Sequence, residues 1–129
     1  MIGYVTIGTN DLPRALAFYD ALLGGIGASR KIEMPTGFTL YGAARGQPGL
    51  VITPPYDKGE ASPGNGNMVA LAMGSRGEVD SFHAKALELG ASDEGAPGVR
   101  GDDGERAFYG AYFRDPDGNK ICAFRMGPA

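Results

Sequence analysis

Polar and apolar positions alternate along Tyr4-Val5-Thr6-Ile7-Gly8, with Val5 and Ile7 on one side. A period of two predicts a strand with one face turned toward a core. The period then lengthens. Leu12, Ala15, Leu16, Phe18, Tyr19, Leu22 and Leu23 make a helical stripe,. Asn10 or Asp11 is placed to cap that helix, Pro13 sits in its first turn, where a missing N–H matters least, and Gly24-Gly25 stops it. Three more strands are predicted at about 29–34, 37–42 and 49–53. From Pro54 to Gly66 the chain has three Pro, three Gly and no period, so it reads as a linker.

The order then repeats. Residues 67–73 alternate as a strand, Ser75-Arg76-Gly77-Glu78 forms a capping box, and Val79, Phe82, Ala86, Leu87 and Leu89 line a second helix ending at Gly90,. A short strand and a Gly-rich loop over 95–106 are expected next, followed by a hairpin from Tyr109 to Phe124 that turns at Asp115-Pro116-Asp117-Gly118. A shift of 64 residues lays Val5 on Val69, Ile7 on Leu71 and Phe18 on Phe82, as a duplicated unit would. The fold class is therefore α+β, with two βαβββ modules forming a curved mixed sheet around a cup. Module 1 spans about 1–54, the linker about 55–66 and module 2 about 67–129, all within a single domain of 129 residues,. A cup of this kind suits a small organic molecule.

Two motifs carry a resemblance: the opening Asn10-Asp11-Leu12-x-x-Ala15-x-x-Phe18-Tyr19 and the hairpin Asp115-Pro116-Asp117-Gly118-Asn119. With the doubled βαβββ pattern, the chain resembles the vicinal-oxygen-chelate superfamily of glyoxalase I, bleomycin-resistance proteins and extradiol dioxygenases. The resemblance implies a divalent metal held by His and Glu on strands lining the cup. Those positions fall here on Tyr4, Val51, Met68 and Cys122. A tyrosine, valine, methionine and cysteine do not match the imidazole and carboxylate donors that such ions take. The expectation is thus a relative without the family metal and without another cofactor, binding or acting on a small organic ligand. The alternatives are a metal-dependent lyase or dioxygenase with relocated ligands, and a structural or regulatory module without ligand. The resemblance also implies a homodimer.

Composition narrows the partners. Net charge is −3 and the cations are scattered, which argues against nucleic acid. No apolar stretch is long enough to span a membrane and no basic leader precedes one, so a cytoplasmic protein is expected. The single Cys excludes an intramolecular disulfide. With Cys122 facing the cup, alternation brings Phe124 to the same face, and pairing around 115–118 sets Ala111 opposite, with Tyr109 and Phe113 alongside. The expected ligand contacts are Tyr4, Tyr41, Met68, Tyr109, Ala111, Phe113, Cys122 and Phe124, with Tyr4 and Tyr109 as acid–base candidates. Met68 and Cys122 are read as apolar lining, a soft Cu(I) pair being the alternative. His83 is read as a partly exposed structural residue on a helix flank. Arg100 and Arg106 are read as surface charges, with a carboxylate contact as the alternative. Asp102-Asp103-Gly104-Glu105 lacks calcium-loop spacing and reads as a solvated loop.

Overall fold

A computed structural model describes residues 1–129. The chain divides into two compact units, Met1–Asn65 with Pro116–Asn119, and Gly66–Asp115 with Lys120–Ala129.

The first unit contains β1 (Tyr4–Gly8), α1 (Leu12–Gly24), β2 (Ser29–Glu33), β3 (Thr39–Gly42) and β4 (Gly49–Thr53). Its sheet has the order β1-β4-β3-β2, with β1 parallel to β4 and the other neighbours antiparallel. Asp11 caps α1 by accepting from the Arg14 N–H at 3.1 Å, so of the two cap candidates the aspartate serves. Register sets Val5, Leu50 and Tyr41 on one face with Ile7, Ile52 and Thr39. This is the α1 face, since the Tyr41 hydroxyl donates to Asp20 at 2.7 Å and its ring meets Tyr19. Tyr4, Thr6, Leu40 and Val51 point the other way,.

The second unit contains β5 (Val69–Ala72), α2 (Arg76–Glu88), β6 (Ser92–Arg100), β7 (Phe108–Arg114) and β8 (Lys120–Met126), in the sheet order β5-β8-β7-β6. Ser75 accepts from Glu78 N–H at 3.1 Å while the Glu78 carboxylate accepts from Gly74 N–H at 2.7 Å. The predicted capping box therefore forms, reaching one residue further back than the standard pattern.

Residues 95–100, expected in a loop, extend β6 to nine residues. Gly95, Pro97 and Gly98 disguise the strand, but β6 is the sheet edge, where a proline costs no ladder bond and bulges are common,. The register to β7 shifts between Asp93 and Gly95 and again between Gly95 and Gly98.

The Asp115–Asn119 motif at the hairpin tip has a structural task within the first unit. Asp117 accepts from the Thr9 hydroxyl at 2.6 Å, the Asn10 N–H at 2.9 Å and Arg14 at 3.1 Å. Asn119 donates to the Gly8 carbonyl at 2.9 Å. The turn thus locks the passage from β1 into α1, which is why the two motifs occur in one sequence.

Candidate functional site

In the first unit, the face of the sheet turned away from α1 borders a groove of about 1140 Å³. Thr6 and Gly8 of β1, Thr53 of β4, Met34 and Phe38 beside β3 form one part of it. Thr36, Pro54, Pro55, Tyr56, Asp57, Lys58, Glu60, Ala61 and Ser62 form the rest. The segment expected to be a linker therefore serves as a wall. It is held there because Asn10 accepts from Ala61 N–H at 2.7 Å and donates to the Ala61 carbonyl at 3.1 Å. Lys58 in this wall has φ 63°, the chain's one non-glycine residue in the left-handed region,.

Tyr4 is 55 % exposed and meets Phe38 edge to face at 6.0 Å. Val51 shares its face but is completely buried. Neither Tyr41 nor its phenol faces this groove. Tyr41 is buried toward α1, where burial and the bond to Asp20 push its hydroxyl well above the usual phenol range. Asp20 in turn is held below its ordinary value, chiefly by Arg30 at 2.6 Å.

In the second unit the expected cup face is corrected by one residue. Arg114 pairs with Lys120, so the hairpin connection is the five residues Asp115–Asn119, and Cys122 lies opposite Tyr112 while Ala111 lies opposite Ala123. An odd connection shifts the register relative to an even one, and a shift of one exchanges the faces of the whole strand. Tyr109, Ala111 and Phe113 consequently point to α2. Phe113 packs on Phe82 and His83, Ala111 is fully buried, and Tyr109 donates to Asp80 of α2 at 2.6 Å. The bond to Asp80 raises the Tyr109 phenol, which Arg76 covers at 5.1 Å from the ring centroid. None of these three side chains shares a face with Cys122.

The face opposite α2 carries Cys122 and Phe124, as expected, together with Tyr112, Phe108, Ala70 and Ala72. Phe108 and Phe124 stack at 5.5 Å with 7° between their planes. Cys122 is completely buried, and that burial pushes its thiol up against the opposing pull of the Tyr112 hydroxyl, Arg100 and Lys120. Met68 lies just before β5 and is 45 % exposed.

His83 is buried, contrary to the expected partial exposure, with its Nε2 3.0 Å from Asp93. It lies on the α2 side of the sheet. Asp103 is solvated as expected, with its side chain 63 % exposed, and also bonds Arg76 at 2.7 Å. The positions that would hold the family metal do not fit one. Val51 offers no donor, Cys122 is a sealed neutral thiol, and nowhere do three His, Cys, Asp or Glu side chains gather,.

Two mixed four-stranded sheets, each carrying one helix in the order βαβββ, define the paired-module α+β fold. The model of the Glyoxalase/Bleomycin resistance protein/Dioxygenase superfamily matches residues 1–123, and the chain belongs to that superfamily. A glyoxalase/bleomycin resistance protein from Albidiferax ferrireducens T118 is 38 % identical, with TM-score 0.85 over 98 % of this chain and 99 % of that one. A putative glyoxalase from Bacillus halodurans is 23 % identical, with TM-score 0.71 over 97 % and 95 %. Lactoylglutathione lyase from Agrobacterium tumefaciens is 19 % identical, with TM-score 0.67 over 97 % and 92 %. These last two share the fold. No curated protein matches the sequence. No helix is long and apolar enough to cross a membrane.

Proposed function

We propose that this chain is a member of its superfamily that binds a small organic molecule without a metal at the family positions, working as a single-domain cytoplasmic homodimer. The groove of the first unit carries the reading. Its lining combines an apolar part, Met34, Phe38, Pro54, Pro55 and Tyr56, with the hydroxyls of Thr6, Thr36, Thr53 and Ser62 and the charges of Asp57, Lys58 and Glu60, which suits an apolar body bearing polar groups. Tyr4, against Phe38, extends the same surface and is the acid–base candidate that remains, since Tyr109 is engaged by Asp80. On the second sheet Met68 and Phe124 stay accessible to a ligand, whereas Cys122 is sealed beneath the surface. Tyr41, Tyr109, Ala111 and Phe113 face the helices and lie away from such a ligand.

The test pairs binding with elemental analysis on protein purified without a His tag. An apolar fluorescent probe such as 8-anilinonaphthalene-1-sulfonate is expected to bind, and Thr6→Trp, which fills the groove, to abolish the signal while leaving the folded spectrum intact. Metal is expected at trace level. About one metal ion per chain would instead establish the metal-dependent lyase or dioxygenase with relocated ligands, and light scattering at the mass of one 13.4 kDa chain would refute the dimer.

A further inference from the structure

The chain has four asparagines, and the fold treats them differently. Asn10 is held at both ends of its amide by Ala61, at 2.7 Å and 3.1 Å, and Asn119 is buried with its amide on the Gly8 carbonyl at 2.9 Å. Neither of these side chains is free to turn. Asn65 and Asn67 lie on the exposed stretch that leads into β5, and no hydrogen bond engages either amide. What separates them is the next residue, Gly66 after Asn65 and Met68 after Asn67.

Gly66 is exposed, and no atom stands within 4 Å of the place a Cβ would take. Its φ is 95° and that of Gly64 is 73°, so Asn65 sits between two residues in the left-handed region, where glycine is at ease,. The Gly66 N–H donates to no group of the protein and is left to water. A solvated backbone nitrogen without a neighbouring side chain therefore follows directly on an unengaged carboxamide. Asp103 and Asp117 also precede glycines, but Asp103 is occupied by the Gly104 N–H at 2.8 Å and by Arg76, and Asp117 by Thr9, Asn10 and Arg14. The place matters too: the first compact unit runs to Asn65 and the second begins at Gly66.

We propose that Asn65 is a site of spontaneous covalent modification, converted through a cyclic imide to aspartate and isoaspartate. The Gly66 nitrogen gives up its proton to hydroxide and attacks Cγ of Asn65. The new C–N bond closes a five-membered ring, and the bond from Cγ to Nδ2 breaks, releasing ammonia. Water then opens the imide. Attack at Cγ restores the main chain and leaves aspartate, whereas attack at the backbone carbonyl carbon leaves isoaspartate, with the chain running through Cβ and Cγ. The sum is one amide and one water giving one acid and one ammonia. Either product takes the net charge of −3 one unit further negative, and isoaspartate also lengthens the main chain by one carbon where it passes from one unit to the other.

The experiment keeps the folded chain at mildly alkaline pH in water enriched in heavy oxygen, and follows it by isoelectric focusing and by tandem mass spectrometry of the tryptic peptide Gly59–Arg76. That peptide holds Asn65 and Asn67 together. An acidic band is expected to grow with time, faster as pH rises, with heavy oxygen entering at residue 65. Isoaspartyl methyltransferase is expected to label the product with a methyl group from S-adenosylmethionine. Asn67 should convert at least about tenfold more slowly, a barrier higher by about 1.4 kcal/mol. Asn65→Gln should remove the acidic band, because the longer side chain would have to close a six-membered ring. This variant is preferred to a change at Gly66, whose φ of 95° a side chain would strain,. An Asn65 that stays an amide in the folded chain while a free peptide of residues 59–76 converts in the same buffer would overturn the proposal. So would conversion of Asn67 as fast as Asn65, or an acidic band undiminished in Asn65→Gln. Neither Asn65 nor Gly66 lines the groove of the first unit, so failure here leaves that reading untouched.

Discussion

Replacing Asp117 with Ala is expected to cost more stability than any surface aspartate should, because this side chain is only 4 % exposed and accepts from the Thr9 hydroxyl at 2.6 Å and the Asn10 N–H at 2.9 Å. A buried donor stripped of its acceptor forfeits roughly 1–3 kcal/mol. Thr9 is buried and bears the full penalty, while exposed Asn10 recovers part of it from water. The Arg14 pair adds little, since that guanidinium is 48 % exposed,. The net loss should be about 2–4 kcal/mol, a large part of the stability of a domain this size. Asp117→Asn keeps one acceptor oxygen and should lose about half as much.

Urea unfolding followed by circular dichroism measures this, and an unchanged denaturant slope would show that the folded state rather than its compactness is affected. A double-mutant cycle with Thr9→Val isolates the shared bond, with a coupling of at least about 1 kcal/mol. The consequence reaches the groove. Asn10 also holds Ala61 in the groove wall, so a loosened corner should weaken binding of the apolar probe. A loss below about 0.5 kcal/mol for Asp117→Ala, the scatter of ordinary surface changes, would mean that the turn does not lock the strand-to-helix corner.

Ala111→Trp forces an indole beneath α2 where Ala111 is completely buried. It should destabilise by at least about 1–3 kcal/mol yet leave ligand affinity of the folded fraction unchanged, measured by thermal unfolding beside probe titration. The pH dependence of unfolding has a carboxylate component at Asp93, whose pKa is lowered from its usual 3.8 first by the Gly95 N–H and then by His83. Because the folded value is the lower one, this stabilisation is present above the unfolded value and is lost as pH falls through the folded value. Asp93→Asn should therefore flatten the acid limb of the stability profile, and an unaltered limb would refute the pairing.

Much of the fold was legible because each element carries its own punctuation. β1 and β4 fall on the expected residues, and α1 and α2 begin at the expected caps. The failures share a cause: they depend on what lies across the sheet rather than along the chain. Residues 95–100 of β6 read as a loop because glycine and proline are breakers in isolation, yet an edge strand tolerates them and the Arg100 side chain lies where a Cβ on Gly95 or Gly98 would crowd it,. Residues 54–62 looked like a linker because nothing in their composition reveals a wall, a property conferred by Asn10 across 51 positions of sequence. Tyr41 reads as a site phenol among apolar residues, and what turns it away is Asp20, 21 positions earlier on α1.

The site of the second unit turns on a single parity. With an even connection in the hairpin, Cys122 would share its face with Ala111, Tyr109 and Phe113, an apolar cup. With the observed five residues it shares its face with Tyr112, Gly110 and Phe108. That exchange brings in Arg100, which lies over the Tyr112 ring, whereas Lys120, two residues before Cys122 on β8, shares the Cys122 face in either register,. A two-residue turn would surrender the bonds that Asp117 and Asn119 make to the β1–α1 corner.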